Sequence, residues 1–378
     1  MQHRAAGVRV ALIGAALCAA YWVHPGTTVA SEQAQRSPSW LNGSVSRPHL
    51  EPPTAPQPHP IRIPNAATSQ LLLSTKGLQV PEGLRLMVFA PHPDDETIAA
   101  GGLIQRVLSL QGTVQVVFVT NGDGYVDAVR HQARQGHAST ADFIEYGRRR
   151  HDEALHALQH LGLQSRNAVF LGFPDDGIDD LWAGHWSSRN PYTSPYTRSD
   201  RPPYKDSLSQ KVEYDGTDLE YEITRVLQSF APDWVLMPDP RDRHPDHCTT
   251  GVFVLDALRK LRHQAVGPFA RTQVLTYLVH YPDYPSSPAW VKEIEGAGVG
   301  GSPTAGKVLA AAQWVNLPLN PPELTGKRTA VADYQSQVQV MNPFLKQFLG
   351  AAEIFGRLDA PQVVGVPTAY AVRFRRSR

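Results

Sequence analysis

Four continuous apolar runs constrain this chain more than any other feature, because a polar cluster and then a segment of helical spacing follow each one. The runs are "LRLMVFA" (84–90), "VQVVFVT" (114–120), "NAVFLGF" (167–173) and "DWVLMPD" (233–239), and "TQVLTYLVHY" (272–281) reads as a fifth. An uninterrupted apolar run marks a strand buried on both faces, where alternation would mark one with a solvated face. Segments 97–110, 140–161, 218–230 and 247–261 carry apolar residues at helical spacing, and Gly162 stops the second. Strands alternating with helices predict an α/β fold: a Rossmann-like, doubly wound, mostly parallel sheet with helices on both faces.

Such sheets bind ligands beyond the carboxyl ends of their strands, and the polar clusters fall on that rim. "PHPDDE" follows the first run, "NGDG" the second, "PDDGIDD" the third and "DPRDRHPDH" the fourth. No G-x-G-x-x-G follows the first strand and no P-loop is present, so nucleotide-cofactor chemistry has no support. His92 and Asp95 stand three apart at a strand-to-helix turn, so both can face one point. His244 and His247 repeat the spacing after the fourth strand. Three of these four groups can bind one divalent ion and leave positions open for water and substrate, the catalytic form of a zinc site. Nitrogen and oxygen donors without thiolate suit Zn²⁺, with Fe²⁺ or Mn²⁺ as alternatives. Asp94 would then reach the activated water as general base. The spare histidine could stabilise an oxyanion or protonate a leaving amine. Taken singly, "HPDD" reads as an acidic helix cap and "HPDH" as a stiff turn. Two such motifs on one rim argue for a site.

"APHPDDE" with "HPDH" further on resembles the LmbE-like, PIG-L de-N-acetylase family of zinc hydrolases. The similarity continues through "TNGDG" (120–124), "RHDEALHALQHLG" (150–162) and "FLGFPDDG" (170–177). It is weaker in "YLVHYPDYP" (277–285) and "KRTAVADYQSQ" (327–337). The resemblance implies His92, Asp95 and His247 as metal ligands and Asp94 as general base. It implies His244 as electrostatic stabiliser or general acid, oriented by a hydrogen bond from Asp246. Arg150 matches a substrate-holding position and Asp175 a sugar-contacting acid. Some relatives place a tyrosine two residues before the first histidine of "HPDH"; here Asp242 stands there, either touching substrate or pairing with Arg243.

Beyond these motifs the signals are weaker. Glu96 reads as a cap or a buttress for a ligand, and Cys248 as a packed thiol. His280 either lines the site or is structural. Residues 181–212 form an aromatic insertion, opening "LWAGHWSSRNPYTSPYTRSDRPPYKD". It is read as a substrate lid whose Trp and Tyr rings stack on sugar faces, or as a self-packed or mobile loop.

The N-terminus carries Arg4 and Arg9, an apolar run from Val10 to Val23 and a Thr28-Val29-Ala30 site. Residues 1–30 therefore read as a secretory signal, or as an uncleaved anchor that would be the only membrane contact. A Pro-rich linker over 31–68 leads to the catalytic domain over 69–378. The expected location is outside the cytoplasm: periplasm, envelope or medium. Cys18 lies inside the signal, so the mature chain would hold one thiol and no internal disulfide. The net charge of +1 is spread over interspersed acids and bases, which leaves no footprint for nucleic acid. The function expected is removal of an N-acetyl or other acyl group from an amino-sugar or glycan substrate. Alternatives are an amidase on a thiol-sugar conjugate or acylated peptide, or a catalytically weak carbohydrate-binding relative. A phosphoesterase is disfavoured because the further carboxylates of a two-metal site are not evident.

Overall fold

Strand β2 (Arg85–Ala90) runs through the middle of the sheet, and every residue from Leu86 to Ala90 is fully buried. Its side chains divide the core. Leu86, Val88 and Ala90 enter one cluster, while Met87 and Phe89 enter another on the opposite face. That division is the pleat acting on a run apolar at every position. The computed structural model describes residues 76–133, 138–264, 267–287, 290 and 313–358. The expected signal and linker lie outside the described residues.

Along the chain, the short β1 (Lys76–Gly77) and β2 are followed by helix α1 (Asp95–Ser109), β3 (Thr113–Thr120), α2 (Val126–Gln132) and α3 (Thr140–His160). Then come β4 (Ala168–Phe173), α4 (Ile178–Ala183), α5 (Gly216–Phe230), β5 (Trp234–Pro238), α6 (Pro245–His263) and β6 (Gln273–Tyr277). The described chain ends with β7 (Gln313–Pro318), α7 (Pro321–Asp333), α8 (Gln335–Lys346) and β8 (Ala352–Leu358). The sheet order is β1-β7-β8-β6-β5-β2-β3-β4. All pairings are parallel except the two made by β8, which is antiparallel to both β6 and β7. The chain winds outward from β2 through β3 to β4, then returns to β5 on the other side of β2. The order therefore reverses between β2 and β5, the crevice where open α/β sheets bind ligands. "PHPDDE" and "HPDH" leave those two strands.

Two expectations need correction. The fifth apolar run predicts a strand to Tyr281, but β6 stops at Tyr277. The Val279 and His280 N–H groups donate to Asp242 Oδ2 at 2.8 and 3.1 Å, so a side chain takes the place of a neighbouring strand. The insertion also begins inside a helix, α4, instead of in a loop.

Helix α1 is broken at Ala100 (φ −142°, ψ 15°). The break leaves N–H groups for the second segment to satisfy. Glu353 from β8 accepts from Gly102 and Leu103 N–H, both at 2.8 Å, while Lys327 from α7 balances its charge at 2.7 Å. Lys327 and Glu353 are both buried. No helix among the described residues is long and apolar enough to cross a membrane.

Candidate active site

At the carboxyl end of β2 the chain turns sharply into α1, and at the end of β5 it turns into α6. These turns bring His92, Asp95 and His247 together. Asp95 Oδ2 lies 3.3 Å from His92 Nδ1 and 3.2 Å from His247 Nε2, and the two nitrogens are 3.3 Å apart. Atoms this close are held together either by protons on the imidazoles or by one cation shared among them. The edge of a tetrahedron built on metal–nitrogen or metal–oxygen bonds of roughly 2.0–2.1 Å is about 3.3 Å. The donor set and its spacing therefore fit a divalent ion.

Each ligand is held from behind. His92 Nε2 lies 3.0 Å from Asp175 Oδ1 and 3.2 Å from Asp246 Oδ2. Burial alone would lower the His92 pKa, but Asp175, Asp246 and Asp95 hold it well above the ordinary value. Asp95 also accepts the His92 N–H at 2.9 Å. Its carboxyl, despite burial, is held well below the usual range by His247 and His92. His247 Nδ1 faces Asp242 Oδ2 at 3.7 Å.

Asp94 is buried and its φ is 126°, a region that few residues other than glycine occupy. Burial pushes its carboxyl up to about 8, with Asp95 and Glu96 adding to the shift and Arg150 opposing it. Arg150 reaches across from α3: Nη1 donates to Gly122 O (3.0 Å), Nη2 donates to Pro93 O (2.6 Å), and Nη2 lies 3.4 Å from Asp94 Oδ2. Ser139 and Asp142 fix the start of α3 through a reciprocal capping box.

His244 is the N-cap residue of α6, and its Nδ1 accepts the Asp246 N–H at 3.2 Å. Its ring lies 4.9 Å from that of His92 and 5.0 Å from that of His280. Burial, with the histidines around it, holds its pKa well below the ordinary value, so the ring is neutral. His280 is likewise held down, to about 4, chiefly by burial. Its ring stands edge-on to His247 and stacks on Phe344 of α8.

The arrangement redistributes several expected roles. The Asp246 carboxylate, expected to orient His244, accepts from Asp176 N–H (2.7 Å) and Ile178 N–H (3.0 Å) and meets His92; only its backbone serves His244. Asp175, expected at a sugar, meets His92 and accepts the Gly124 N–H at 2.5 Å. Arg150, expected at substrate, is occupied by the Asp94 loop. Asp242 neither faces outward nor depends on Arg243 for a partner: it is buried and also accepts the His244 N–H at 3.0 Å. The Cys248 thiol packs away and donates to Pro240 O at 3.0 Å. Glu96 supports the Asp94 turn and accepts from Tyr334, a residue no local pattern singles out.

The aromatic insertion is mostly folded onto the domain. Trp182 and Trp186 pack on Phe253 at 4.8 and 5.7 Å, and Tyr204 is buried with its hydroxyl on Asp123. Gly147 makes room for the Tyr204 hydroxyl, since a Cβ there would come within 2.2 Å of it. Tyr196 is half-buried, lies against Gly124 and Phe143, and donates to Asp176 at 2.8 Å.

Comparison with known proteins follows the same segment. Residues 87–258 match the family model described as PIG-L: GlcNAc-PI de-N-acetylase. Over 181 residues the chain is 30% identical to a 1D-myo-inositol 2-acetamido-2-deoxy-alpha-D-glucopyranoside deacetylase from Mycolicibacterium smegmatis, covering 47% of this chain and 54% of the relative. It is 24% identical over 212 residues to a diacetylchitobiose deacetylase from Thermococcus kodakarensis, covering 53% of this chain and 62% of that protein. A solved N,N'-diacetylchitobiose deacetylase from Pyrococcus horikoshii, complexed with an inhibitor, aligns with a TM-score of 0.44 at 16% identity, over 73% of this chain and 84% of that one. The chain spans about half the length of the first curated relatives it matches. The matched segment runs from β2 into α6 and contains both histidine motifs, so the likeness to the PIG-L family model covers the site itself.

Proposed function

We propose that this protein is an exported, zinc-dependent hydrolase that removes an N-acetyl or related acyl group from an amino-sugar-containing substrate. The observation that carries the reading is the triangle of His92 Nδ1, Asp95 Oδ2 and His247 Nε2, with Asp94 at its edge. The printed names of the curated relatives, deacetylases of a glucosaminyl inositol and of diacetylchitobiose, support an amino sugar. The basic and apolar N-terminus supports export.

His92, Asp95 and His247 would hold the ion, which when bound would supply Lewis-acid polarisation and a more acidic water. Asp94 takes the proton of the attacking water as general base. Arg150 beside it, and the positive charge of the ion, both favour its charged form. Because His244 Nδ1 accepts a backbone N–H, its own proton sits on Nε2. A neutral imidazole in that tautomer can donate to the charge that develops on the carbonyl oxygen as water adds to the acyl carbon. Protonated Asp94 then returns its proton to the leaving amine, and the C–N bond breaks. Asp175 and Asp246 fix the His92 ring throughout, and Asp242 faces His247.

The test is acetate release from N,N'-diacetylchitobiose, a glucosaminyl inositol and a longer N-acetylated glycan, before and after chelation and with zinc restored. Release that chelator abolishes and zinc restores is expected. Asp94→Ala protein is expected to keep its metal and lose turnover. Absence of release from every sugar sinks the amino-sugar reading.

A further inference from the structure

We propose that Tyr334, at the corner between α7 and α8, is a positioning residue for Asp94 that acts through Glu96; the proposal rests on the reading of Asp94 as the base. Asp94 occupies a backbone region that survives only when its surroundings over-determine it. Its N–H donates to Glu96 Oε2 at 3.2 Å. The other oxygen of that fully buried carboxylate accepts from Thr97 Oγ1 at 2.5 Å and from the Tyr334 hydroxyl. Of these donors only Tyr334 comes from outside the turn itself, and it also lies beyond the matched segment 87–258. Rotation of Glu96 about its side-chain torsions is stopped there.

The same corner acts on Asp94 from a second side. Ser336 donates through its N–H (2.9 Å) and hydroxyl (2.6 Å) to Glu153, and Gln337 Nε2 donates to Tyr146 OH at 2.5 Å. Glu153 and Tyr146 stand three and four positions from Arg150 on α3, within a turn of it. Arg150 is the side chain beside the Asp94 carboxylate. "YQSQ" (334–337) thus ties together the helix that faces the carboxylate and the residue that holds its backbone. Tyr334 itself is fully buried, and its hydroxyl is occupied by Glu96, so it has no part in binding substrate.

The experiment compares Tyr334→Phe, Glu96→Gln, their double variant and Asp94→Ala as zinc-loaded full-length proteins on N,N'-diacetylchitobiose. Tyr334→Phe preserves volume. We expect its kcat to fall on the order of 10- to 100-fold with KM and zinc content unchanged, the scale for a misplaced catalytic group. The double variant is expected to be no slower than Glu96→Gln, since both changes cut one path. A crystal structure of Tyr334→Phe protein should show the Asp94 N–H released from Glu96 and its φ outside the left-handed region. Wild-type kcat in Tyr334→Phe beside an inactive Asp94→Ala overturns this inference and leaves the base reading standing. An active Asp94→Ala overturns the base reading, and this proposal with it. Should even the wild-type protein release no acetate, the crystal structures decide: an unchanged Asp94 in Tyr334→Phe and in Glu96→Gln overturns the proposal without any turnover.

Discussion

The backbone N–H of Asp246 donates to Nδ1 of His244 at 3.2 Å, which leaves the imidazole proton on Nε2. A helix N-terminus thereby sets the tautomer of a side chain at the site. Removing the donor with His244→Ala should lower kcat about 100- to 1,000-fold, the range for one oxyanion donor. His244→Gln, which keeps an N–H, should lose less. Metal content should stay constant in both, and steady-state acetate release with metal analysis checks the pair. Equal loss in both variants would count against donation as the role.

Asp242 should matter for metal retention. Its carboxylate lies 3.7 Å from His247 Nδ1 and accepts three backbone N–H groups around the site, from His244, Val279 and His280. Such supports are worth about 10- to 100-fold in metal affinity. Competition with a graded chelator should show Asp242→Ala releasing zinc that much more readily than wild type. Unchanged affinity would reduce Asp242 to a loop anchor.

Replacing Glu353 with alanine would strand the buried Lys327 charge and uncap the second segment of α1. The loss should be about 3–5 kcal/mol, the cost of breaking a buried pair from one side. Urea unfolding of the purified protein measures it. Lys327→Met with Glu353→Gln in one protein should recover part of that loss, because no unpaired charge remains.

Asp239 offers a pH-dependent test away from the ligands. Burial would raise its carboxyl, but Arg241, bound at 2.8 and 2.9 Å, and Thr276 at 2.8 Å hold it below the usual range. A depressed folded pKa contributes stability that is complete above the unfolded carboxylate value of about 3.9. That contribution disappears as pH falls through the folded value. Asp239→Asn should therefore be less stable than wild type by about 3 kcal/mol near neutrality. The gap should narrow below about pH 4. Urea midpoints across that range decide it, and a pH-independent gap would exclude the ion pair as its source.

The parts of this molecule legible in its sequence are those set by local pattern. The run "LRLMVFA" is apolar at every position because β2 has a packed face on each side. The two histidine motifs point to one place because β2 and β5 are neighbours, and the rim rule for parallel sheets needs only that. Partners from distant loops are another matter. Nothing local in "PDDGIDD" says that Asp175 faces His92, since that depends on the β4 loop folding back over the β2 turn. Asp242 and Val279 approach only in the fold, and the spacing of "DRHPDH" carries no trace of it. Helices α2 and α4 are too short to display a period. Within 313–358 only "KRTAVADYQSQ" (327–337) is legible, as a weak family likeness; it contains Lys327 and Tyr334, and Glu353 lies beyond it. These act through contacts between segments distant in the chain, and such contacts have no periodicity.

Strand β8 is the last described strand in the chain, yet it sits between β7 and β6 near the middle of the sheet order. During synthesis, the β1–β7 pair therefore cannot join the rest of the sheet until residues 352–358 have left the ribosome. Until then α1 also lacks the carboxylate that closes its break, so the helix beginning at Asp95 waits on Glu353. A nascent chain in this condition has its ligands and its central strands but an open sheet edge, the state most exposed to aggregation. A premature stop before residue 352 would delete no group that touches the metal triangle. It would still leave the protein permanently at that unfinished stage.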